Sequence, residues 1–313
     1  MRCLVTGCAG FIGSHLAEKL IQSGFEVIGI DSFTDYYDQR IKESNVQGLL
    51  SSENFTLIKE DLLSIDLGKL LKGVNYIFHH AAQPGVIASW GRRFDTYVNN
   101  NILATQRILE WAKEISLKLF IFASSSSVYG DCELPMREDS LLSPISPYGV
   151  SKVACENLCY SYWKNFGVPI VSLRYFTVYG PRQRPDMAFH KFIRAILKGE
   201  EITIYGDGNQ TRDFTYIDDA VNANFLVIEK ACRGETFNIG GGSYISVNGA
   251  IKLLEEIVEK RARIRYIERK KGEMQATWAD IEKAKKMLRY SPRFDLKEGL
   301  RKEIEWIKGV MDK

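Results

Sequence analysis

The stretch that decides the fold is Arg2-Cys3-Leu4-Val5-Thr6-Gly7-Cys8-Ala9-Gly10-Phe11-Ile12-Gly13, at the start of the chain. Its first five residues form an apolar run typical of a buried strand, and Phe11 to Leu20 has the apolar periodicity of a helix. Gly7, Gly10 and Gly13 lie between these two runs, so the pattern predicts a glycine-rich turn from strand to helix. Glycines there let the backbone approach a pyrophosphate closely, and the helix N-terminus favours its negative charge.

A second predicted strand, Glu26 to Ile30, ends in Asp31, which follows Gly13 by 18 residues. A carboxylate at that place accepts hydrogen bonds from the hydroxyls of an adenosine ribose and repels a 2′-phosphate. The spacing therefore favours NAD over NADP, with Asp31 and the adjacent Ser32 at the ribose. The alternative is that Asp31 caps a helix or makes a loop more soluble.

Apolar strands alternate with helical segments through the first two-thirds of the chain, which indicates a parallel sheet covered on both faces. We therefore predict an α/β fold: a Rossmann-type, doubly wound parallel sheet with a smaller α/β substrate-binding domain. Ligands of such sheets bind beyond the carboxyl ends of the strands. The residues predicted to bind the cofactor from their places in the turn or at strand ends are Gly7, Gly10, Phe11, Ile12, Gly13, Asp31, Ser32, Asp61, Leu62, Ala81, Ala82, Gln83 and Tyr175.

Two further segments form a candidate reaction centre: Ser124-Ser125-Ser126-Ser127-Val128-Tyr129-Gly130 and Tyr148-Gly149-Val150-Ser151-Lys152. A phenol with an ordinary pKa of ~10 is a poor base at neutral pH, and catalysis needs that pKa lowered by roughly three units. A lysine four residues later shares a helix face with the tyrosine and can stabilise the phenolate. Tyr148 and Lys152, with Ser125 at the reacting oxygen, are therefore the candidate catalytic residues of a nicotinamide oxidoreductase, and the first two also contact the cofactor. An isolated pair of this spacing is more often a surface helix turn, but the serine run and the glycine turn favour catalysis.

The composition limits the other classes of function. The chain has 313 residues, 45% of them hydrophobic, and a formal net charge of +3, which is too small to suggest nucleic-acid binding. We find no leader-like segment and no apolar run near the ~20 residues that span a bilayer, so we expect a cytoplasmic protein without membrane contact. Six cysteines and four histidines are scattered, so we expect neither a disulfide framework nor a metal site. A basic stretch, Lys260 to Lys271, is either a solvated strand face or an attractor of an anionic substrate.

The pattern of predicted elements changes after Gly180, where shorter elements and glycine turns replace the long strand-helix units. We predict an NAD-binding domain over residues 1–176, to which a segment near 214–240 returns. Residues 177–213 and 241–313 then form the nucleotide-sugar-binding domain.

Together these motifs resemble those of the extended short-chain dehydrogenase/reductase family, and specifically its nucleotide-sugar epimerases. The resemblance covers nearly the whole chain and rests also on Asn100-Asn101 and Arg212-Asp213-Phe214. It implies that Asn100 contacts NAD and that the UDP-sugar lies in the second domain. It further implies that Arg212 binds the diphosphate, because the forked donors of a guanidinium suit phosphate oxygens. The alternative for Arg212 is an exposed surface turn.

Two stretches are similar to the uronic-acid branch of these epimerases, Asp35-Tyr36-Tyr37-Asp38 and the segment from Thr177 to Met187. Related dehydratases carry an acidic residue where this chain has Ser127, so reversible oxidation at carbon 4 is the chemistry that the resemblance leaves. Substrate contacts are implied for the serine hydroxyls, the tyrosine, a threonine and two arginines, namely Ser125, Ser126, Ser127, Tyr148, Thr177, Arg184 and Arg212. Arg184 is the candidate for the sugar carboxylate, whereas Arg182 could equally form an ion pair between domains. Where relatives commonly have an arginine, Lys270-Lys271 keeps the charge but loses the bidentate fork.

The expected activity is NAD-dependent 4-epimerisation of a UDP-sugar, UDP-glucuronate to UDP-galacturonate, through a transient 4-keto sugar. The alternatives are a UDP-glucose/UDP-galactose 4-epimerase and a non-catalytic protein that binds NAD and a nucleotide sugar. Relatives pair through the helix near Leu103 to Lys113 and the helix that carries Tyr148, so a homodimer is expected. Val153, Leu158 and Tyr162 could supply its apolar surface, or could be buried within the monomer.

Overall fold

The computed structural model describes residues 1–230 and 232–311. Its strands are β1 (Arg2–Thr6), β2 (Glu26–Ile30), β3 (Phe55–Ile58), β4 (Tyr76–His79), β5 (Leu119–Ser125), β6 (Ile170–Tyr175), β7 (Thr177–Tyr179), β8 (Glu201–Tyr205), β9 (Thr211–Tyr216), β10 (Thr236–Ile239), β11 (Tyr244–Ser246) and β12 (Arg263–Ile267). Its α-helices are α1 (Phe11–Gln22), α2 (Gln39–Gln47), α3 (Leu67–Leu70), α4 (Phe94–Tyr97), α5 (Ala104–Ala112), α6 (Pro147–Phe166), α7 (Ala188–Lys198), α8 (Ile217–Lys230), α9 (Val247–Val258), α10 (Glu282–Leu288) and α11 (Leu296–Met311).

A seven-stranded sheet forms the centre of the molecule, in the order β10-β6-β5-β4-β1-β2-β3. All of its strand pairs are parallel. Strands β4 and β6 are buried at every residue, because helices cover both faces of the sheet. The predicted α/β fold of Rossmann type is therefore confirmed.

Alternate residues of each central strand enter different cores. In β1, Val5 belongs to one buried cluster and Leu4 to the other, and in β4 Phe78 and Ile77 divide in the same way. This is the result expected when successive side chains point to opposite faces of a strand. Each apolar run of the sequence thus supplies two cores at once.

Strand β1 lies at the point where the strand order changes direction. It pairs with β2 on one side and with β4 on the other, so the chain leaves β1 for one half of the sheet and later crosses to the other half. Crevices open at such points beyond the carboxyl ends of the strands. The glycine turn after β1 is therefore placed at the mouth of a cleft.

Smaller sheets follow the central one along the chain. Strands β11, β9 and β7 form a three-stranded sheet, and β12 pairs in parallel with β8. Strand β12 is exposed along its whole length, and Arg265 pairs with Glu201 at 3.0 Å, in line with a solvated basic strand. Strand β10 lies in the central sheet beside β6. The division into domains at the predicted residue numbers stays a prediction.

None of the helices in the described part of the chain combines the length and the apolar character needed to cross a membrane.

Candidate active site

The carboxyl ends of the central strands open into one cleft of about 430 Å³, a size typical of ligand sites. Every residue that the sequence predicted to bind cofactor or substrate lines this cleft. These residues are Gly7, Gly10, Phe11, Ile12, Gly13, Asp31, Ser32, Asp61, Leu62, Ala81, Ala82, Gln83, Asn100, Ser125, Ser126, Ser127, Tyr148, Lys152, Tyr175, Thr177, Arg184 and Arg212. Their individual roles stay predictions, but the fold brings all of them together.

The glycine turn brings two backbone segments into close contact beside the cleft. Gly7 has a φ of +71°, and a Cβ atom on Gly13 would lie 2.1 Å from the carbonyl oxygen of Gly7. Helix α1 begins at Phe11, and its N-cap residue Gly10 supplies no side-chain acceptor to the first N–H groups. These donors suit an anion. The turn therefore fits the pyrophosphate of NAD.

Asp31 is buried where β2 ends. Its carboxylate accepts hydrogen bonds from the backbone N–H groups of Ala9 at 3.1 Å and Phe33 at 2.8 Å. The buried ammonium of Lys42 in α2 lies 3.4 Å from the same carboxylate, and both side chains line the cleft. Asp31 thus orders its own loop and also faces the place predicted for the adenosine ribose. Sequence reasoning missed Lys42, since one lysine in a polar helix carries no signal of its own.

A π-helical turn, Val98–Leu103, presents Asn100 to the cleft. The next side chain, Asn101, is buried: its oxygen accepts from the backbone N–H of Gln83 at 2.7 Å, and its amide nitrogen donates to Ser151 Oγ at 2.9 Å. Asn101 thereby links the loop after β4 to helix α6. Such π-helical turns are rare and occur frequently at functional sites.

Helix α6 positions the candidate catalytic pair. Ser146 caps the helix by accepting from the N–H of Gly149 at 3.1 Å, which places Tyr148 in the first turn and Lys152 one turn later. Lys152 Nζ donates to the carbonyl oxygen of Ala123 at 2.7 Å and lies 6.0 Å from the centre of the Tyr148 ring. The shared helix face predicted from the sequence is present. The hydrogen bond from lysine to the end of β5 is a contact that sequence spacing could not reveal.

The serine run continues β5 into a short 3-10 turn, Ser126–Val128. Ser125 Oγ accepts from the backbone N–H of Ser127 at 3.1 Å, so the hydroxyl of Ser125 keeps its own proton to donate into the cleft. The neighbouring Ser124 also lines the cleft, but its hydroxyl donates to the buried carboxylate of Glu156 at 2.5 Å.

A buried ion pair joins strand β6 to helix α6, which carries the candidate catalytic pair. Arg174 of β6 donates twice to Glu156 of α6, from Nε at 2.9 Å and from Nη2 at 2.7 Å. Its third contact is the hydroxyl of Tyr129, at 2.8 Å. The pair therefore joins β6 to the helix that carries Tyr148. It was missed from the sequence, because its members are 18 residues apart along the chain and form no local motif.

Arg184 projects from the loop after β7 into the cleft. Its Nε and Nη2 atoms donate to the two oxygens of Asp186 at 3.0 Å and 3.1 Å. Burial would raise the pKa of the Asp186 carboxyl, but the guanidinium of Arg184 outweighs burial and holds that pKa below its ordinary value. Asp186 also accepts a hydrogen bond from the hydroxyl of Tyr36 at 3.3 Å. Arg182 points the other way and pairs with Glu18 of α1 at 2.7 Å, which is the structural ion pair considered as its alternative role.

Arg212 also lines the cleft. Burial lowers the pKa of its guanidinium, and Nη1 donates to the carbonyl oxygen of Thr211 at 2.8 Å. Within residues 1–230 and 232–311, no carboxylate lies within ion-pair distance of Arg212. A half-buried cation of this kind suits a bound anion. Gly272, Glu273 and Met274 line the cleft as well and were missed, whereas Lys270 stacks over the ring of Tyr205 at 4.1 Å.

In the part of the chain that the structure describes, no three His, Cys, Asp or Glu side chains come together as a metal-binding group. All six cysteines are free thiols.

The parallel sheet, the glycine turn with Asp31 and the pair of Tyr148 and Lys152 are those of a nicotinamide-dependent short-chain dehydrogenase/reductase of the extended type. The NAD dependent epimerase/dehydratase family matches residues 3–240, and the chain belongs to that family. The predicted resemblance is therefore confirmed.

Within the family, the chain is similar to proteins named as sugar-nucleotide epimerases. It is 50% identical to the uncharacterized UDP-glucose epimerase YtcB of Bacillus subtilis (strain 168), with 99% of each chain covered. It is 39% identical to the UDP-glucuronate 4-epimerase of Thermodesulfobacterium geofontis (strain OPF15), which covers 97% of this chain and 95% of that protein. The crystal structure of UDP-glucuronic acid 4-epimerase from Bacillus cereus, in complex with UDP-glucuronic acid and NAD, matches with a TM-score of 0.97 at 49% identity, covering 99% of this chain and 100% of that one.

Proposed function

We propose that this protein is an NAD-dependent UDP-glucuronate 4-epimerase, an isomerase that interconverts UDP-glucuronate and UDP-galacturonate. The observation that carries this proposal is the position of Arg184, a guanidinium that lines the same cleft as Tyr148, Lys152 and the serine run. A cation there suits a carboxylate on the sugar. The Bacillus cereus structure, which matches over nearly the full length, holds UDP-glucuronic acid and NAD.

The mechanism follows from what each side chain can do. When bound, NAD supplies the acceptor and then the donor of the hydride at carbon 4. Tyr148 takes the proton from the carbon-4 hydroxyl, and Lys152 on the same helix face stabilises the phenolate. Ser125 donates a hydrogen bond to the reacting oxygen. Tyr148 returns the proton after the 4-keto sugar has rotated in the cleft. The oxidation and the reduction at carbon 4 cancel, so there is no net redox change.

Other side chains hold the two ends of the substrate. Arg212, half-buried and without a carboxylate partner among the described residues, binds the diphosphate, about which the sugar swings between the two half-reactions. Arg184, Thr177 and the hydroxyls of Ser126 and Ser127 hold the sugar carboxylate. These assignments give each charged group of the substrate a partner in the cleft.

A UDP-glucose 4-epimerase is the second candidate. It is favoured by the name of the relative that is 50% identical and by the ion pair of Arg184 with Asp186, which balances the charge of Arg184. A non-catalytic binding protein is the third candidate. The complete set of Ser125, Tyr148 and Lys152 counts against it, because a protein that only binds has no use for an activated phenol.

One experiment separates the three candidates. The NAD-loaded protein is incubated separately with UDP-glucuronate, UDP-galacturonate, UDP-glucose and UDP-galactose, and the products are separated by chromatography. We expect the two uronates to interconvert. Conversion of the neutral pair alone would establish the second candidate, and recovery of all four sugars unchanged would establish the third.

We further propose that the protein is a homodimer in the cytoplasm. The free state of all six cysteines fits a reducing compartment. For the dimer, Leu103 and Val150 expose 46% and 45% of their surface on the two segments expected to pair. Of the residues first considered, Tyr162 is buried and bonded to Gln106 at 3.2 Å, whereas Val153 and Leu158 pack partly against the core.

A further inference from the structure

The loop that carries Arg184 directs its two arginines in opposite directions. Arg182 has a φ of +64°, and its side chain reaches back to Glu18 and to Ser14 of helix α1. Gln183 between them is buried and bonds to the carbonyl oxygen of Val178 at 3.2 Å. The loop is thus fixed at both residues before Arg184, and of its two arginines Arg184 is the one that lines the cleft.

Asp186 binds the guanidinium of Arg184 and fixes its position. It takes the Nε–H group and one Nη2–H group of the guanidinium, so the edge that carboxylates commonly grip is already occupied. Three N–H groups remain, two on Nη1 and one on Nη2. Asp186 does not line the cleft, whereas Arg184 does, so a sugar meets the guanidinium and not the aspartate.

Tyr36 fixes Asp186 in turn. Its hydroxyl donates to Asp186 and sits against Gly85, where a Cβ atom would approach the Tyr36 oxygen to 2.5 Å. Gly85 has a φ of +103°, and its carbonyl oxygen accepts from Tyr97, whose ring packs edge-on against Tyr148 at 6.3 Å. A continuous set of contacts therefore relates the position of Arg184 to that of the proposed catalytic tyrosine.

From these contacts we propose that Asp186 is a positioning residue that sets how strongly the site prefers a carboxylate over a hydroxymethyl group at carbon 5 of the sugar. This inference deepens the proposed function and rests on it. Because Asp186 balances the charge of Arg184, a neutral sugar can bind without leaving a buried guanidinium unpaired. A uronate gains only the hydrogen bonds of the three N–H groups left on Nη1 and Nη2. Discrimination is therefore weaker than an unpaired arginine would give.

Removing the charge of Asp186 should strengthen that preference. In Asp186→Asn the amide oxygen can still accept a hydrogen bond from Arg184. However, the positive charge of the guanidinium is then no longer balanced by a carboxylate. A bound carboxylate then becomes its counter-ion, whereas a neutral sugar leaves a cation in the cleft without a partner, which is unfavourable. The two effects act in the same direction on the ratio of the two affinities.

The test measures dissociation constants of UDP-glucuronate, UDP-glucose and UDP by calorimetry on NAD-loaded protein. All variants carry Tyr148→Phe so that the sugars are not converted during the measurement. We expect Asp186→Asn to raise the preference for UDP-glucuronate over UDP-glucose by about tenfold, with the affinity for UDP unchanged. Glu18→Gln is the matched control, because it removes the carboxylate partner of Arg182 on the same loop and changes the net charge equally. It should leave the preference within twofold of the parent.

Other results would contradict either the inference or the proposed function. An unchanged preference in Asp186→Asn, or an equal rise in Glu18→Gln, overturns the inference. If Asp186→Asn does not fold, Asp186→Ser removes the same charge with a smaller side chain and decides the question by the same ratio. A parent protein that binds UDP-glucose better than UDP-glucuronate contradicts the proposed function but not the inference, since the change in preference is measured within either background.

Discussion

At the scale of single residues, Tyr148 carries the proposed proton transfer. Tyr148→Phe removes the hydroxyl but keeps the ring that packs against Tyr97. We expect turnover to fall by roughly two or more orders of magnitude, with NAD still bound. Steady-state rates and the NAD content of the purified protein measure the two effects. Near-normal turnover would remove Tyr148 from the mechanism.

If Arg184 holds the sugar carboxylate as proposed, the chemistry of the intermediate gives it a second role. A ketone at carbon 4 places the carbon-5 carboxylate β to a carbonyl, so carbon dioxide leaves easily if the breaking bond aligns with the carbonyl π orbital. A carboxylate held near the mean plane of the ring avoids that alignment. We expect Arg184→Ala to weaken UDP-glucuronate binding, to slow epimerisation and to raise the fraction of UDP-pentose among the products.

Chromatographic product analysis measures that fraction. Arg182→Ala is the matched control, because it deletes the neighbouring guanidinium, which pairs with Glu18 away from the cleft. It should form no more pentose than the parent. If Arg184→Ala keeps the parent affinity and product ratio, Arg184 does not hold the carboxylate.

At the scale of elements, the turn from β1 to α1 depends on the absence of a side chain at Gly13. In Gly13→Ala the new methyl group would meet the carbonyl oxygen of Gly7 at 2.1 Å, so strand and helix must separate. We expect a loss of about 1 to 3 kcal/mol in the free energy of unfolding and a loss of bound NAD. Gly48→Ala is the control, since nothing lies within 4 Å of its Cβ position and its φ is −65°. Denaturant unfolding and NAD content should separate the two variants.

Helix α1 is also tied to the loop of Arg184 through His15, which bonds to the carbonyl oxygen of Pro181 at 2.9 Å. Burial, with the nearby charge of Arg182, lowers the pKa of His15 to about 4. The unfolded chain takes up this proton near pH 6.5 and the folded chain only near pH 4, so the contribution to stability is present above pH 6.5 and is lost as the pH falls between these values.

His15→Gln keeps a donor but cannot titrate. Between pH 7 and pH 5 we expect the parent to lose about 1 to 2 kcal/mol more unfolding free energy than this variant. Urea unfolding at the two pH values measures the difference. Equal losses would show that His15 takes up its proton at the same pH in the folded and the unfolded chain.

Sequence reasoning succeeded for features that are local in the chain. The glycine turn, the parallel strands and the spacing of Tyr148 and Lys152 each depend on residues a few positions apart. The contacts it missed join distant segments, such as Lys42 with Asp31, Arg174 with Glu156 and Lys152 with the carbonyl of Ala123. Even the pair of Arg184 and Asp186, two residues apart, could not be foreseen, because the turn of the loop decides which arginine faces the cleft.

At the scale of the whole molecule, the proposed dimer would cover apolar surface that one chain leaves exposed. Leu103 precedes α5 and Val150 lies on α6, and each exposes nearly half of its surface. Pairing these segments with those of a second copy would bury that surface next to the helix that carries Tyr148. Sedimentation at micromolar concentration should therefore show a dimer, and Leu103→Glu should shift it to a monomer, because an unpaired carboxylate is unfavourable in an apolar interface.

Leu141→Glu introduces the same charge at a leucine that is 81% exposed outside both segments, and this control should remain dimeric. A parent protein that sediments as a monomer contradicts the dimer, and dissociation of the Leu141→Glu control would show that added charge alone, and not its position on these helices, separates the subunits.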